Sequence, residues 1–433
     1  MNSQYEPDRL AQAAGSPRLG GGTKRRTVLG YGMAAAATSI IGAPAILRAR
    51  ETVKVGVVYP ISGDFARFGE SVTEATVMAF DKINREGGIQ SLDGAEIEPV
   101  IADIRSESTV TRTETERLIN DHSLAAVTGC YVSGLSMIAS EVCERQGVPF
   151  ITGSVSDELS ARGLRYFHQV SPKASMFGEY QVRIAKTLGE EFGPQRNKVG
   201  ILFEDTDYGT STAEGLEKTA EEMGFEVVLS ESYPFDIPDA DPLITRVARS
   251  EAEILFPVSY LQDAILIIET LARRGIDVAI FGGGAGYLVP EFREGLGPLA
   301  NLTFSVGSWN WDVDHEGARG VSEAYAERTG EPFIHEHAGE GYCMGLLIAD
   351  ALERAGSADP DAVREAMRAT DIEPPHPAAI MPGGRLAFDD TGWNEHVNPV
   401  VVQWQEDKPR TVYPFEDASV DPVWPVPSWE ERA

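Results

Sequence analysis

Two imidazoles and a carboxyl stand in a row at His335-Glu336-His337, groups able to hold a metal ion or pass a proton. A zinc-protease pair needs His at i and i+4 on one helix face, and position 339 is Gly. Residues two apart face different sides of a helix, so the triplet reads as a solvated helix start. Gly282-Gly283-Gly284-Ala285-Gly286 follows a β-like run, yet dinucleotide spacing would put Gly where Tyr287 stands. It reads as a turn with close backbone approach. The chain has no G-x-x-x-x-G-K-[ST] loop and no G-x-S-x-G elbow. None of its seven His sits in a recognisable motif with a Ser or Cys nucleophile. No catalytic residue, metal or cofactor is expected.

The groups left are those of a binding site, and the elements say where it lies. Thr52–Tyr59 is a continuous β-branched run of the kind buried on both faces. Val72, Ala75, Ala79 and Ile83 mark one stripe of a helix, stopped by Gly87-Gly88. Strands over 97–104, 125–128 and 149–152 alternate with helices over 109–121 and 135–146. The pattern pauses at 167–171. It restarts with helices over 176–190, 210–223, 242–250 and 261–273 and strands over 198–203, 225–230, 254–257 and 278–281. Helical segments follow near 316–328 and 339–354, and strand-like ones at 385–388 and 399–404. Such alternation predicts parallel sheets covered on both faces, and two lobes fit it better than one long sheet. Ligands in such sheets sit at the carboxyl ends of strands. Three loops meet that condition: 62–68, 130–136 and 153–157.

Charge narrows the partners. Lys and Arg number 37 against 67 Asp and Glu, a net of −30, which argues against nucleic acid and anionic lipid. Only 8 of the basic residues are Lys. A saline habitat, where self-repulsion is screened, and an Arg-rich codon bias both account for that. The sign is uneven: residues 1–50 carry seven basic and two acidic residues, the rest 30 and 65. Arg25-Arg26 precedes a weakly apolar stretch, Val28 to Leu47, and Ala43-Pro44-Ala45 offers a small-residue cleavage site. These are the parts of a twin-arginine export signal over 1–50, cleaved near Ala45 to Arg50. No Cys precedes Cys130, so no lipid anchor is expected on the mature chain. Cys130, Cys143 and Cys343 are odd in number, and each reads as a buried small hydrophobe.

From Val53 the chain resembles the periplasmic solute-binding proteins of branched-chain amino-acid ABC importers and their amide- and urea-binding relatives. The likeness runs to about Tyr413 and rests on motifs in order. They are Val55-Gly56-Val57-Val58, Ser62-Gly63, Phe68-Gly69, the run from Ala79 to Ile89, and Gly129-Cys130-Tyr131-Val132-Ser133. Asp207-Tyr208-Gly209, Phe388-Asp389 and Val400-Val401-Val402-Gln403-Trp404 follow. The resemblance implies two doubly wound parallel-sheet α/β lobes joined by a three-strand hinge, with the ligand cleft between them. Lobe one would take 51–171 plus 306–380, and lobe two 172–305 plus 381–414. The acidic, Pro- and Trp-rich residues 415–433 would form a strap. The resemblance further implies a monomeric periplasmic protein that makes and breaks no bond. Its partners would be a small solute (amino acid, amide, urea-like compound or small carboxylate) and a membrane permease. A periplasmic sensor of the same fold is the alternative, and an exported enzyme a remote one.

Carried over from that family, Ser133 and Ser156 would offer hydroxyls to a ligand carboxylate or amide oxygen, with backbone N–H groups near Ser154. Ser133 would equally suit a helix N-cap. Phe68 would stand against the ligand's side chain, faced by Tyr208 and Tyr260 from lobe two, with Tyr131 beside Ser133. Trp309 and Trp311 would line the cleft mouth or brace the hinge. One departure bears on the ligand. Amino-acid members keep a Glu just after the strand at 278–281 to pair the ligand ammonium; here residues 282–287 hold no acid. Losing a buried counter-charge costs an amine on the order of 2–5 kcal/mol. Unless Glu204, Asp205 or Asp157 substitutes, the ligand would be an amide, a urea-like solute or a carboxylate without an amine.

Overall fold

The computed structural model describes residues 52–313 and 317–432; the expected export signal and its cleavage site lie outside the described residues. The chain opens with β1 (Thr52–Tyr59), α1 (Ala66–Arg85), β2 (Glu96–Asp103), α2 (Ser108–Asp121), β3 (Leu124–Gly129), α3 (Ser133–Gln146), β4 (Phe150–Thr152), α4 (Glu158–Ala161) and β5 (Phe167–Gln169). Then come α5 (Ala174–Glu191), β6 (Lys198–Glu204), α6 (Asp207–Glu222), β7 (Glu226–Tyr233), α7 (Asp241–Ser250), β8 (Ile254–Val258), α8 (Leu261–Arg273), β9 (Ala279–Gly282), α9 (Pro290–Leu296) and β10 (Phe304–Gly307). The last part holds α10 (Ala318–Thr329), α11 (Glu336–Ala355), α12 (Pro360–Arg368), β11 (Asp371–Ile372), β12 (Leu386–Ala387), β13 (Val400–Gln405), β14 (Lys408–Tyr413) and α13 (Trp429–Arg432).

Two main sheets result. The first, ordered β2-β1-β3-β4-β5, is parallel throughout. The second is ordered β14-β13-β10-β9-β8-β6-β7. Its β7 to β10 portion is parallel, but β13 and β14 run antiparallel, so the expected all-parallel second lobe is corrected to a mixed sheet. The cause is local. Glu406 and Asp407 join β13 to β14 with φ of 52° and 65°, a two-residue turn that only antiparallel strands can share. β5 fills the expected pause at 167–171, a strand too short to show a period.

The chain passes between the sheets three times: after β5, after β10, and between β12 and β13. The last passage falls later than the sequence placed it. Asn394 still bonds to Gln169 of β5, through its N–H at 2.9 Å. The segment beyond β14 lies along the second sheet. The Gln403 side chain exchanges hydrogen bonds with the Val423 backbone at 2.8 and 3.0 Å, and the Trp429 indole donates to the Ile276 carbonyl at 2.9 Å.

One helix matters most for the site. α11 is buried on nearly every side and packs along α1. Gly341 and Gly345 permit this approach: a Cβ there would meet Val72 Cγ1 at 2.8 Å and Ala79 Cβ at 2.7 Å. The seating fixes where the first turn of α11 emerges, beside the strand ends. The three cysteines are buried and unpaired. No helix among the described residues is long and apolar enough to cross a membrane.

Candidate ligand-binding cleft

The carboxyl ends of both sheets face one small cavity of about 20 Å³, with a mouth of about 170 Å³ beside it. Tyr131, Ser133 and Ser154 line it from the first lobe, and Tyr208 and Tyr260 from the second. Phe68 sits behind Tyr131, its ring stacked at 4.7 Å, and lines the adjoining mouth. Ser156 backs the cavity rather than lining it. Its N–H donates to Ser133 Oγ at 3.2 Å, and its own hydroxyl is buried without a protein partner. A larger groove between α1 and α10, near Lys82 and His376, lies away from the strand ends.

Local structure places each group. Val132 is the N-cap of α3, so Ser133 is the first helical residue, and its hydroxyl is not a cap. With one lone pair taken by Ser156, that hydroxyl keeps its proton to donate. Ser154 knits the loops together: its Oγ donates to the Tyr131 carbonyl at 2.8 Å, and its N–H to Thr152 Oγ1 at 3.1 Å. Tyr208 opens α6 and donates its hydroxyl to the Gly283 carbonyl. Gly282–Gly286 is the close-approach turn the sequence suggested, pressed on Tyr208, Tyr260 and Tyr287. Phe65 closes the mouth, 5.3 Å from Phe235 and 4.9 Å from Tyr260 across the lobes. Trp309 and Trp311 line no part of this cavity; their indoles donate to the Ile380 and Pro409 carbonyls and brace the hinge.

The acids are not where the sequence looked for them. Glu204 accepts from the N–H and hydroxyl of Thr206 at 2.7 and 2.8 Å. Asp157 accepts from the Ser175 N–H at 2.9 Å, and Asp205 from the Phe235 N–H. Each of these three holds its own loop. The solvated-start reading of 335–337 is overturned: His335, Glu336 and His337 are 4%, 1% and 8% exposed. The start of α11 is inserted between α1 and the passage after β10. There Ser71 Oγ meets His335 Nε2 at 2.7 Å, and Ser308 donates its N–H to Glu336 at 2.8 Å and its hydroxyl to Glu340 at 2.5 Å. His337 lines the cavity, with its ring 4.7 Å from that of Tyr131. Burial raises Glu336 to about 7 and Glu340 to about 8, and lowers both histidines. No group of three metal-ligating side chains occurs among the described residues.

Sequence reasoning missed Phe177, His337, Glu336 and Glu340. One signal was available. Glu336, His337 and Glu340 share the first turn of a segment that continues as Tyr342-Cys343-Met344-Gly345-Leu346-Leu347-Ile348, too apolar for a surface helix.

The comparisons with known proteins agree with this geometry. The periplasmic binding protein family model matches residues 52–408. The Leu/Ile/Val-binding protein homolog 7 of Brucella suis is 31% identical over 373 residues, 84% of this chain and 91% of that one. A branched-chain amino acid transporter substrate-binding protein from Streptococcus pneumoniae, solved with isoleucine, shares the fold. It has a TM-score of 0.71, 24% identity, and coverage of 83% and 98%. So does an ABC-transporter solute-binding protein from R. palustris, solved with benzoate, at 0.70, 16%, and coverage of 83% and 95%. Two lobes closing on a cavity at their strand ends, matched over most of the chain at this identity, place the protein in the periplasmic binding protein family.

Proposed function

We propose that this protein is the solute-binding component of an ABC importer, which closes on one small solute and presents it to a membrane permease. The observation that carries the reading is the two-sided cavity. Ser133 at the start of α3 offers a polar grip, and Tyr208, Tyr260 and Phe177 form an apolar wall on the other lobe. The ligands bound in two of the similar structures, isoleucine and benzoate, both join a carboxylate to a compact apolar body. A carboxylate or amide head at Ser133, with Ser156 behind it, suits the same design. Export by the twin-arginine route, with cleavage near Ala45 to Arg50, would put the mature monomer in the periplasm.

Thermal-shift screening of amino acids, amides, ureas and small carboxylic acids tests the binding role. At least one class should raise the melting temperature without being consumed. Ser133→Ala should weaken the ligand so found by about tenfold. An unchanged affinity would remove Ser133 from the site, and turnover of the ligand would overturn the transport reading.

A further inference from the structure

We propose that α11, not the loop after β9, supplies the counter-charge of this cleft: Glu336, with Tyr131 and His337, holds the ammonium of a small amine-bearing solute. The proposal rests on the solute-binding reading above and names its ligand class.

Tyr131 and His337 line the cavity, Glu336 stands directly behind His337, and each carries a polar atom with nothing to bond to. Glu336 Oε1, His337 Nε2 and the Tyr131 hydroxyl are each buried without a hydrogen-bond partner. Glu336 Oε1 is 3.2 Å from His337 Nε2, and the Tyr131 ring stands edge-on to the His337 ring with centroids 4.7 Å apart. Buried polar groups are normally paired, so such a trio asks for a ligand. His337 Nδ1 faces Glu340 Oε2 at 3.5 Å, which favours the proton on that nitrogen and leaves a lone pair on Nε2. Two lone-pair atoms 3.2 Å apart repel unless a proton or a cation joins them. A primary ammonium brings three N–H donors to three acceptors. The remaining oxygens nearby are already engaged, since Ser308 bonds both Glu336 Oε2 and Glu340 Oε1.

The other charged and titratable groups leave room for one positive charge. Glu340 shares the turn, Tyr208 and Tyr260 face it from the second lobe, and Glu204 lies behind them. Arg67 acts on His335 at this end but is bound to Glu291 and Glu331. In the empty site Glu336, raised to about 7 by burial, keeps a share of protons. An arriving ammonium displaces them, so binding releases protons near pH 7.

Matched ligands separate this from binding through the other head group alone. The purified protein is screened by thermal shift against the twenty amino acids, simple amines, and their deaminated and amide analogues. Hits are then measured by calorimetry in phosphate and in Tris. L-leucine against 4-methylpentanoate and 4-methylpentanamide is the reference set. The amine member of a pair should bind at least about tenfold tighter, with an apparent enthalpy that differs between buffers because protons leave. Glu336→Gln should weaken the amine on the order of 100-fold and leave its deaminated partner within about threefold. Equal or tighter binding of the deaminated or amide analogue, no proton release, or an unchanged amine affinity in Glu336→Gln would each overturn the proposal. If that variant does not fold, the pair preference and proton release of the unaltered protein decide. If only acids or amides bind, the solute-binding reading stands and this inference falls. If nothing in the screen binds, the reading falls and this goes with it.

Discussion

The two walls of the cleft use their polar atoms in opposite ways. On the second-lobe side they are spent internally: the Tyr208 hydroxyl on Gly283 and the Glu204 carboxyl on Thr206. On the first-lobe and hinge side the Tyr131 hydroxyl, Ser156 Oγ, Glu336 Oε1 and His337 Nε2 are buried and unpartnered. A wall with satisfied polar groups can give a ligand aromatic surface; a wall with unsatisfied ones can give it hydrogen bonds. The first lobe therefore selects the ligand's head groups, and the second closes over its body.

The sharpest way to break that contrast is to unseat α11, which carries the unpartnered atoms of Glu336 and His337. Gly345→Leu would push a side chain into Ala79 Cβ, where even a Cβ finds only 2.7 Å. The expected cost is about 3 kcal/mol of stability, with loss of ligand affinity even in the molecules that fold. Chemical denaturation and calorimetry on the same sample read both. The next largest effect sharpens the contrast with a matched pair. Tyr131→Phe should weaken a hydrogen-bonding ligand by about tenfold and leave stability unchanged or better, because its hydroxyl bonds to no protein atom. Tyr208→Phe should do the reverse, leaving the buried Gly283 carbonyl unpaired at about 1–3 kcal/mol of stability while affinity stays within about threefold.

This asymmetry also explains what the sequence disclosed. The second lobe is legible because apolar periodicity defines it: the sequence places α8 at Leu261–Arg273, and it is found there. Loops that follow strands are legible too, so Tyr131, Ser133, Ser154, Tyr208 and Tyr260 do line one cavity. The acidic end is not. It is built by a helix distant in sequence, whose first turn looks solvated because local pattern cannot show that Ser71 and Ser308 close over it. β13 was legible as the strand over 399–404, but β5 and β14 were not, for a related reason: short strands take their identity from partners rather than from their own period.

The pH profile of the ligand-free protein should carry the same signature. Glu336, Glu204 and Glu340, raised by burial to about 7, 7 and 8, bind more protons folded than unfolded. Their stabilising share is complete below the ordinary Glu value of 4.5 and is lost as pH rises through 7 to 8. His168, His335 and His337 are lowered by burial, so their share is present above 6.5 and lost as pH falls. Stability should therefore peak near pH 6, and the melting temperature should drop by several degrees between pH 6 and 8.5. Glu336→Gln should lessen the fall in stability that Glu336 contributes between pH 4.5 and about 7 and leave the profile below pH 4.5 as it was. An unchanged slope over that range would mean that Glu336 ionises normally and that the hinge end is wetter than its geometry indicates.

The smallest effect tests whether the walls meet by chemistry of their own. Arg67 on α1 pairs with Glu291 on α9 across the mouth and with Glu331 beside it. Its side chain is 36% exposed, so solvent and salt screen it, and pairs of this kind contribute about 0–1 kcal/mol. Arg67→Ala should thus change equilibrium affinity by no more than about threefold. Because the pair exists only when the lobes are together, the change should fall on ligand release, not capture. Raising ionic strength should reproduce it in the unaltered protein and have no further effect on the variant. Stopped-flow dissociation at two salt concentrations resolves this. If release is untouched while capture slows, Arg67 steers the ligand in and does not latch the lobes, and closure then rests on apolar contacts such as those of Phe65 with Phe235 and Tyr260.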